Sequence, residues 1–157
     1  MSKPVRVLFV CLGNICRSPM AEAVFRHLVR EAGLEERFEI DSAGLGGWHV
    51  GEPPHPGTRA KLEEKGIDQT GLRARQVRRE ELGTWDYIIA MDEENVAGLR
   101  RLGAPPDRVR LLLEFAPETG MREVPDPWYT GDFDETWRLV EAGCRGLLNY
   151  LRQQEGI

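Results

Sequence analysis

Four short apolar runs alternate with segments of helical periodicity along this chain of 157 residues, and this order restricts the folds open to it. The runs lie at residues 6–10, 38–43, 86–91 and 109–113. Their length and the turn-forming residues around them favour buried strands over pieces of helix. Strands that alternate with helices predict a parallel sheet with right-handed crossovers and helices on both faces.

Helical spacing of apolar residues follows the strands. We predict Ser18 as the N-cap of the first helix, and Asp92 as the N-cap of a helix that runs to about Leu102. The last helix has an apolar face on which Cys144 and Trp137 are expected to be core residues. Further helical segments are predicted at residues 56–66, 78–83 and 133–152.

These elements predict one α/β domain over residues 1–157. We expect three layers, with a four-stranded parallel sheet in the flavodoxin-like order 2-1-3-4 and helices on both faces. Ligands of such sheets bind beyond the carboxyl ends of the strands, where the strand order reverses. The loops at that edge begin at Cys11, after Ala43, at Asp92 and after Leu113, so distant residues are expected to meet there.

Composition excludes several classes of function. A net charge of −5 argues against a nucleic-acid partner, and no apolar segment approaches membrane-spanning length. Three cysteines are too few, and odd in number, for a secreted disulfide scaffold, so we expect a cytoplasmic protein. The histidines, His27, His49 and His55, have no spacing typical of a metal site, and we predict neither a metal nor a cofactor.

The loop after the first strand combines a cysteine with an arginine six positions later. Cys11 ends the strand just before a helix N-terminus, where unpaired N–H groups and Arg17 favour a thiolate. Gly13 and Asn14 tolerate the positive φ angles that a loop needs to turn its N–H groups inward around an anion. The arrangement indicates a nucleophile that works on a bound tetrahedral oxyanion. The loop residues that form the anion cradle are Leu12, Gly13, Asn14, Ile15 and Cys16.

Transfer of a phosphoryl group from a phenol also needs an acid for the leaving oxygen. Asp126 is the best candidate because it lies between two prolines in "VPDPWYTG", on a loop expected at the same sheet edge. Trp128 and Tyr129 follow directly and would form one wall of a cleft for an aromatic ring. Trp48, in the glycine-flanked "GLGGWHVG", would form the opposite wall or else cover the edge of the sheet.

The segments "VCLGNICRSPMAEA", "DSAG", "GEPPHPG", "MDEEN" and "DPWY" together resemble the low-molecular-weight protein tyrosine phosphatase family over nearly the whole chain. The resemblance implies a phosphatase that acts on tyrosine-phosphorylated proteins and releases inorganic phosphate, and we expect it to act as a monomer. Cys11 would be the nucleophile that becomes a phosphocysteine. Arg17 would bind the phosphate and stabilise the transition state, and Asp126 would be the general acid and then the base.

The resemblance also assigns supporting roles. Asn14 and Ser18 would shape the loop and support the thiolate, and Ser42 would hydrogen-bond to that asparagine. Cys16 would form a reversible disulfide with Cys11, or else only fill the loop. Asp92 lies near the site in the family, although a helix cap alone also explains it. The family often has a histidine just before "ARQ", and the segment at residues 70–76, "TGLRARQ", lacks it.

Three other functions fit the sequence less well. An arsenate reductase needs relay cysteines in mid-chain, and none lies between Cys16 and Cys144. Protein arginine phosphatases of the same family tend to carry threonine at the position of Ile15, whose apolar side chain suits a phenol better. A module that only binds phosphate would not need Asp126. Cys11 itself could be merely a small buried residue, but Arg17 at this spacing argues against that.

Overall fold

The computed structural model describes residues 3–157, and its strands and longer helices follow the predicted order, whereas a short helix at Pro127–Thr130 lies where a loop was predicted. The strands are β1 (Val5–Cys11), β2 (Phe38–Gly44), β3 (Tyr87–Ala90) and β4 (Val109–Leu111). The helices are α1 (Arg17–Glu31), α2 (Pro56–Glu64), α3 (Glu93–Arg101), α4 (Pro127–Thr130) and α5 (Phe133–Glu155).

The four strands form one parallel sheet in the order β2-β1-β3-β4, which confirms the predicted fold. Strand β1 pairs with β2 on one side and with β3 on the other, so Val7 lies beside both Ile40 and Tyr87. The strand order reverses at β1. Cys11, the last residue of β1, therefore lies at the switch point where such sheets bind ligands.

Two predicted segments differ from the structure in their type of secondary structure. The strand predicted at 109–113 ends at Leu111, and a 3₁₀ helix at Leu112–Phe115 follows it. Because Leu112 and Leu113 are buried in that turn, their apolar pattern cannot be told from that of a strand. The segment at 78–83 is a 3₁₀ helix, Arg79–Thr84, rather than an α-helix.

The core has a layer on each face of the sheet. On β1, Val7 and Phe9 pack towards α1 and α5, whereas Leu8 and Val10 pack towards the face that α3 covers. On α5, Cys144 is fully buried and its sulfur lies 3.6 Å from the Ala21 carbonyl oxygen, as expected of a core residue. Of the helices within residues 3–157, none combines the length and apolarity needed to cross a membrane.

Candidate active site

The loop at residues 12–16 joins β1 to α1 at the carboxyl edge of the sheet. Asn14 adopts a positive φ of 58°, the left-handed conformation that the sequence predicted for this turn. Ser18 is not the N-cap, contrary to the prediction, since α1 begins at Arg17 and Cys16 occupies the cap position. The helix starts two residues earlier than a cap at Ser18 would place it, and the Ser18 hydroxyl hydrogen-bonds within the loop instead.

Hydrogen bonds behind the loop fix the direction of the Ser18 hydroxyl. The Ser18 oxygen lies 3.0 Å from the Cys11 sulfur and accepts a bond of 2.8 Å from the Asn14 side-chain amide. Since that oxygen accepts from Asn14, its own hydrogen is free to point at Cys11. Ser18 therefore serves as a hydrogen-bond donor to the Cys11 sulfur.

The same amide of Asn14 also donates to Ser42 over 3.0 Å, the bond that the family resemblance implied. The side-chain oxygen of Asn14, Oδ1, accepts a hydrogen bond of 2.9 Å from the backbone N–H of Arg75. Arg75 lies in the segment that lacks the family histidine, so here this segment contributes a backbone donor. With both ends of its amide engaged, Asn14 has one orientation, and it transmits that orientation to Ser18.

Glu22 completes this chain of hydrogen bonds, although it was not predicted as a site residue from the sequence. The Ser42 hydroxyl donates to one Glu22 carboxylate oxygen over 2.6 Å, and Arg26 donates to the other over 2.9 Å. Burial raises the pKa of Glu22, and the bonds from Ser42 and Arg26 oppose that rise. In the sequence, Glu22 is recognisable only as a charged residue one helical turn after Ser18. Its burial, which is unusual for a glutamate, is seen only in the structure.

We expect Glu22→Ala to slow alkylation of Cys11 by iodoacetamide at neutral pH, by roughly threefold to tenfold. Without the carboxylate, the Ser42 hydrogen loses its acceptor, and the Asn14 amide and the Ser18 donor lose their fixed directions. The rate of alkylation against pH measures the effect. Glu31→Ala, at an exposed position of the same helix, is the control. Equal rates in the two variants would show that the chain ends at Ser42.

Arg17 places a buried guanidinium beside the loop. Its Nη1 donates to Asp92 over 2.7 Å and to the Val124 carbonyl oxygen over 3.0 Å, and its Nη2 lies 3.4 Å from an Asp126 oxygen. The Nε–H is buried and has no hydrogen-bond partner within residues 3–157. Arg17 is thus held by the protein at one end and keeps a free donor for an anion at the other.

Charges around Arg17 keep it cationic although it is buried. Burial by itself lowers the pKa of Arg17, but charge interactions with Cys11, Asp92 and Asp126 and the hydrogen bond to Asp92 outweigh burial, so the pKa lies above its ordinary value. Asp92 is also the N-cap of α3, where it accepts from the Asn95 N–H over 2.8 Å. Asp92 thus caps α3 with one carboxylate oxygen and accepts from Arg17 with the other.

Asp126 is the N-cap of the short helix α4 and faces the loop. One of its oxygens accepts from the Trp128 N–H over 3.1 Å, and the other is the oxygen near Arg17. Trp48, Trp128 and Tyr129 are exposed around a cleft of about 360 Å³ that also contains Cys11 and Asp126. The cleft is lined further by Leu12, Gly13, Ile15, Cys16 and His49, of which the sequence analysis assigned all but His49 to the site.

Cys16 differs from Cys11 in its environment. Burial, followed by repulsion from Cys11 and Asp126, raises the pKa of Cys16 to about 12. Cys16 is therefore a protonated thiol at neutral pH, which leaves Cys11 as the nucleophile of the pair.

The cleft opens into a wider groove of about 1200 Å³ that runs past Asp92 and the residues before Asp126. The groove is larger than a single aromatic ring. Within residues 3–157 no cluster of three or more His, Cys, Asp or Glu side chains is placed to hold a metal ion.

Comparison with known proteins agrees with this geometry. The model of the family "Low molecular weight phosphotyrosine protein phosphatase" matches residues 6–156. The low molecular weight protein-tyrosine-phosphatase YfkJ of Bacillus subtilis is 48% identical over 98% of this chain and 99% of its own length. Its crystal structure gives a TM-score of 0.95, with 98% of both chains covered and 47% identity.

The crystal structure of a Drosophila arginine phosphatase is also similar, with a TM-score of 0.84 and 31% identity over 93% of this chain and 97% of that one. The family match covers almost every residue, and it includes both the cysteine loop and the segment of Asp126. The chain belongs to the low molecular weight phosphotyrosine protein phosphatase family.

Proposed function

We propose that this protein is a protein-tyrosine-phosphatase that hydrolyses phosphotyrosine, and aryl phosphates generally, through a phosphocysteine intermediate. The observation that carries the proposal is the convergence of three groups on one cleft. The Cys11 sulfur lies 3.0 Å from the Ser18 hydroxyl at the cleft. Asp126, which also lines the cleft, comes from a separate segment and lies 3.4 Å from the buried Arg17 guanidinium. The exposed aromatic side chains around the cleft suit a phenyl ring.

In the first step, the Cys11 thiolate attacks phosphorus in line with the leaving phenol. The sulfur–phosphorus bond forms as the phosphorus–oxygen bond breaks, and protonated Asp126 gives its proton to the phenolate oxygen. Arg17 and the loop N–H groups bind the equatorial oxygens, where charge is held in the transition state.

In the second step, water attacks the phosphocysteine. Asp126, now a carboxylate, accepts a proton from that water, inorganic phosphate leaves, and the Cys11 thiolate is regenerated. The Ser18 hydroxyl stabilises the departing thiolate in the direction that Asn14 imposes. No step requires a metal ion.

The proposal is tested by turnover of phosphotyrosine and phosphoarginine in a buffer with chelator. We expect phosphotyrosine to be the preferred substrate, because the apolar Ile15 and the exposed indoles and phenol line the cleft. Preference for phosphoarginine would instead assign the chain to the activity named for the Drosophila neighbour, and no turnover of either would leave only a phosphate-binding module.

Asp126→Asn is expected to lower kcat/KM for phosphotyrosine by about 100-fold, within the usual contribution of a general acid. The amide keeps the bond from Trp128 but has no proton to give. An aryl phosphate whose phenol is strongly acidic needs no proton, so its kcat/KM is expected to fall much less. Equal losses on the two substrates would contradict the acid role. Asp132→Asn, at the exposed N-cap of α5, is the matched control.

We further propose that Cys16 protects Cys11 from irreversible oxidation. Peroxide converts the Cys11 thiolate to a sulfenic acid and is itself reduced to water, and the Cys16 thiol then displaces a second water to form a disulfide. An added thiol reduces that disulfide. We expect peroxide-treated enzyme to regain most of its activity with dithiothreitol, and Cys16→Ser to regain several-fold less. Equal recovery would assign Cys16 to loop packing.

Tyrosine-phosphorylated proteins are the substrates that we propose, since the groove past Asp92 has space for residues that flank the phosphotyrosine. The cytosol keeps thiols reduced, as a cysteine nucleophile needs for turnover, and this supports our proposal of a cytoplasmic enzyme. The monomeric state remains a prediction, and sedimentation equilibrium would check it.

A further inference from the structure

Two histidines lie against Trp128, which belongs to the aromatic wall of the cleft. The ring centre of His49 is 5.7 Å from that of Trp128 with the planes tilted by 54°, and His55 lies at the same distance edge-on at 80°. Both histidines come from the segment after β2, whereas Trp128 belongs to α4. The contacts therefore join two parts of the chain that are about 75 residues apart in sequence.

Each histidine also contacts the loop at residues 12–16, the phosphate-binding loop of the proposed mechanism. The His49 ring lies over Gly13, where an added Cβ would be only 3.3 Å from the imidazole carbon, and its Nδ1 is 3.1 Å from a Glu52 oxygen. The His55 backbone N–H donates to the Ile15 carbonyl oxygen over 2.8 Å.

The His55 ring has two further contacts, one with Phe133 and one with the backbone of Gly57. It stacks on Phe133, with ring centres 5.0 Å apart and planes 24° apart, and its Nδ1 accepts from the Gly57 N–H at the start of α2. Phe133 in turn packs against Ile15 and Cys16. The two imidazoles are thus fixed relative to the loop that carries the nucleophile.

Trp128 transmits this position to Asp126. The two residues belong to one helical turn, in which the Trp128 N–H donates to an Asp126 oxygen. A turn of four residues has little stability of its own, so its orientation depends on tertiary contacts. Trp128 is itself half exposed, and the two imidazoles are the aromatic neighbours of its ring among the described residues.

We propose that His49 and His55 are positioning residues that, through Trp128, hold the Asp126 carboxyl over the phosphate-binding loop. The inference rests on the proposed function, because it assigns these residues to proton donation by Asp126. Neither histidine takes a proton from the substrate. Their contribution is geometric, and displacement of a catalytic group by a fraction of an ångström is enough to slow its reaction.

The chain offers substitutions that separate the ring of His55 from its role as a cap. In His55→Asn the side-chain oxygen still accepts from the Gly57 N–H, but the stacking surface is lost. In His55→Phe the ring remains and the cap is lost. His49→Ala and His49→Phe make the corresponding pair for the other side of Trp128. His27→Ala, on the outer part of α1, is the control.

The double variant His49→Ala/His55→Asn is expected to lower kcat/KM for phosphotyrosine about tenfold. For 2,4-dinitrophenyl phosphate, whose leaving group needs no proton, we expect a loss of about twofold or less. The inhibition constant of inorganic phosphate should stay unchanged, since it reports on the loop and Arg17. The double phenylalanine variant is expected to retain most of the wild-type activity, and His27→Ala all of it.

Equal losses on the two aryl phosphates, no loss on either, or a parallel change in phosphate inhibition would overturn the inference. The single variants are measured as well, so that a misfolded double variant still leaves a decision from their ratios of the two substrates. A wild-type protein that does not hydrolyse phosphotyrosine would defeat the proposed function itself. An active wild type with insensitive variants would defeat only the positioning by His49 and His55.

Discussion

Cys11→Ser is expected to abolish turnover of phosphotyrosine, with a loss on the order of 10⁴-fold or more. A serine hydroxyl stays protonated at neutral pH, and Ser18, the neighbour of the sulfur, acts as a donor rather than a base. The loop donors and Arg17 remain in place. The variant should therefore still bind inorganic phosphate, which isothermal titration calorimetry measures.

The control is the same substitution at Cys144, which is fully buried on α5 beside the Ala21 carbonyl oxygen. Cys144→Ser makes an equal chemical change in the core, so its effect is expected on stability and not on kcat. Burst kinetics with an aryl phosphate give the second readout, because only an enzyme with the thiolate releases phenol ahead of phosphate. Full activity in Cys11→Ser would end the phosphocysteine mechanism.

The sequence predicted the sheet and its functional edge because both depend on local patterns. The apolar run of β1 ends at Cys11, and the strand–helix alternation requires a parallel sheet whose carboxyl edge gathers the loops. Asp126 was predicted as the general acid from a local pattern as well, because the prolines on either side of it indicate a rigid segment. Residue types at fixed spacing, such as Cys11 and Arg17, are visible before any distance is known.

Contacts between distant side chains could not be predicted in this way. Nothing around Glu22 indicates that its carboxylate accepts from Ser42, because β2 brings that hydroxyl to α1 only in the folded sheet. His49 and His55 were considered only as metal ligands, since their packing on Trp128 depends on how α4 is placed. The cap predicted at Ser18 was wrong because the loop begins the helix at Arg17, without a side-chain cap.

Arg17→Lys is expected to lower kcat/KM for phosphotyrosine by about 1000-fold, although it conserves the charge. The guanidinium makes bonds to Asp92 and the Val124 carbonyl oxygen with Nη1 and still presents Nε to the loop. A lysine has one ammonium group, which cannot reach Asp92 and the Val124 carbonyl oxygen and also donate to an anion in the loop. The inhibition constant of inorganic phosphate is expected to rise in parallel, because the charge-assisted hydrogen bond that Nε offers to the anion is lost.

The same substitution should also destabilise the fold. A buried site that loses two of its donors leaves acceptors such as the Val124 carbonyl without partners, at a cost of about 1–3 kcal/mol. Urea unfolding measures that cost, and Arg122→Lys, at an exposed arginine that pairs with Glu93, is the control for the substitution itself. Activity is compared well below the urea midpoint, so that partial unfolding does not contribute. Wild-type phosphate affinity in folded Arg17→Lys would mean that the loop N–H groups hold the anion alone, and that Arg17 serves mainly to join Asp92 and Asp126 to the loop.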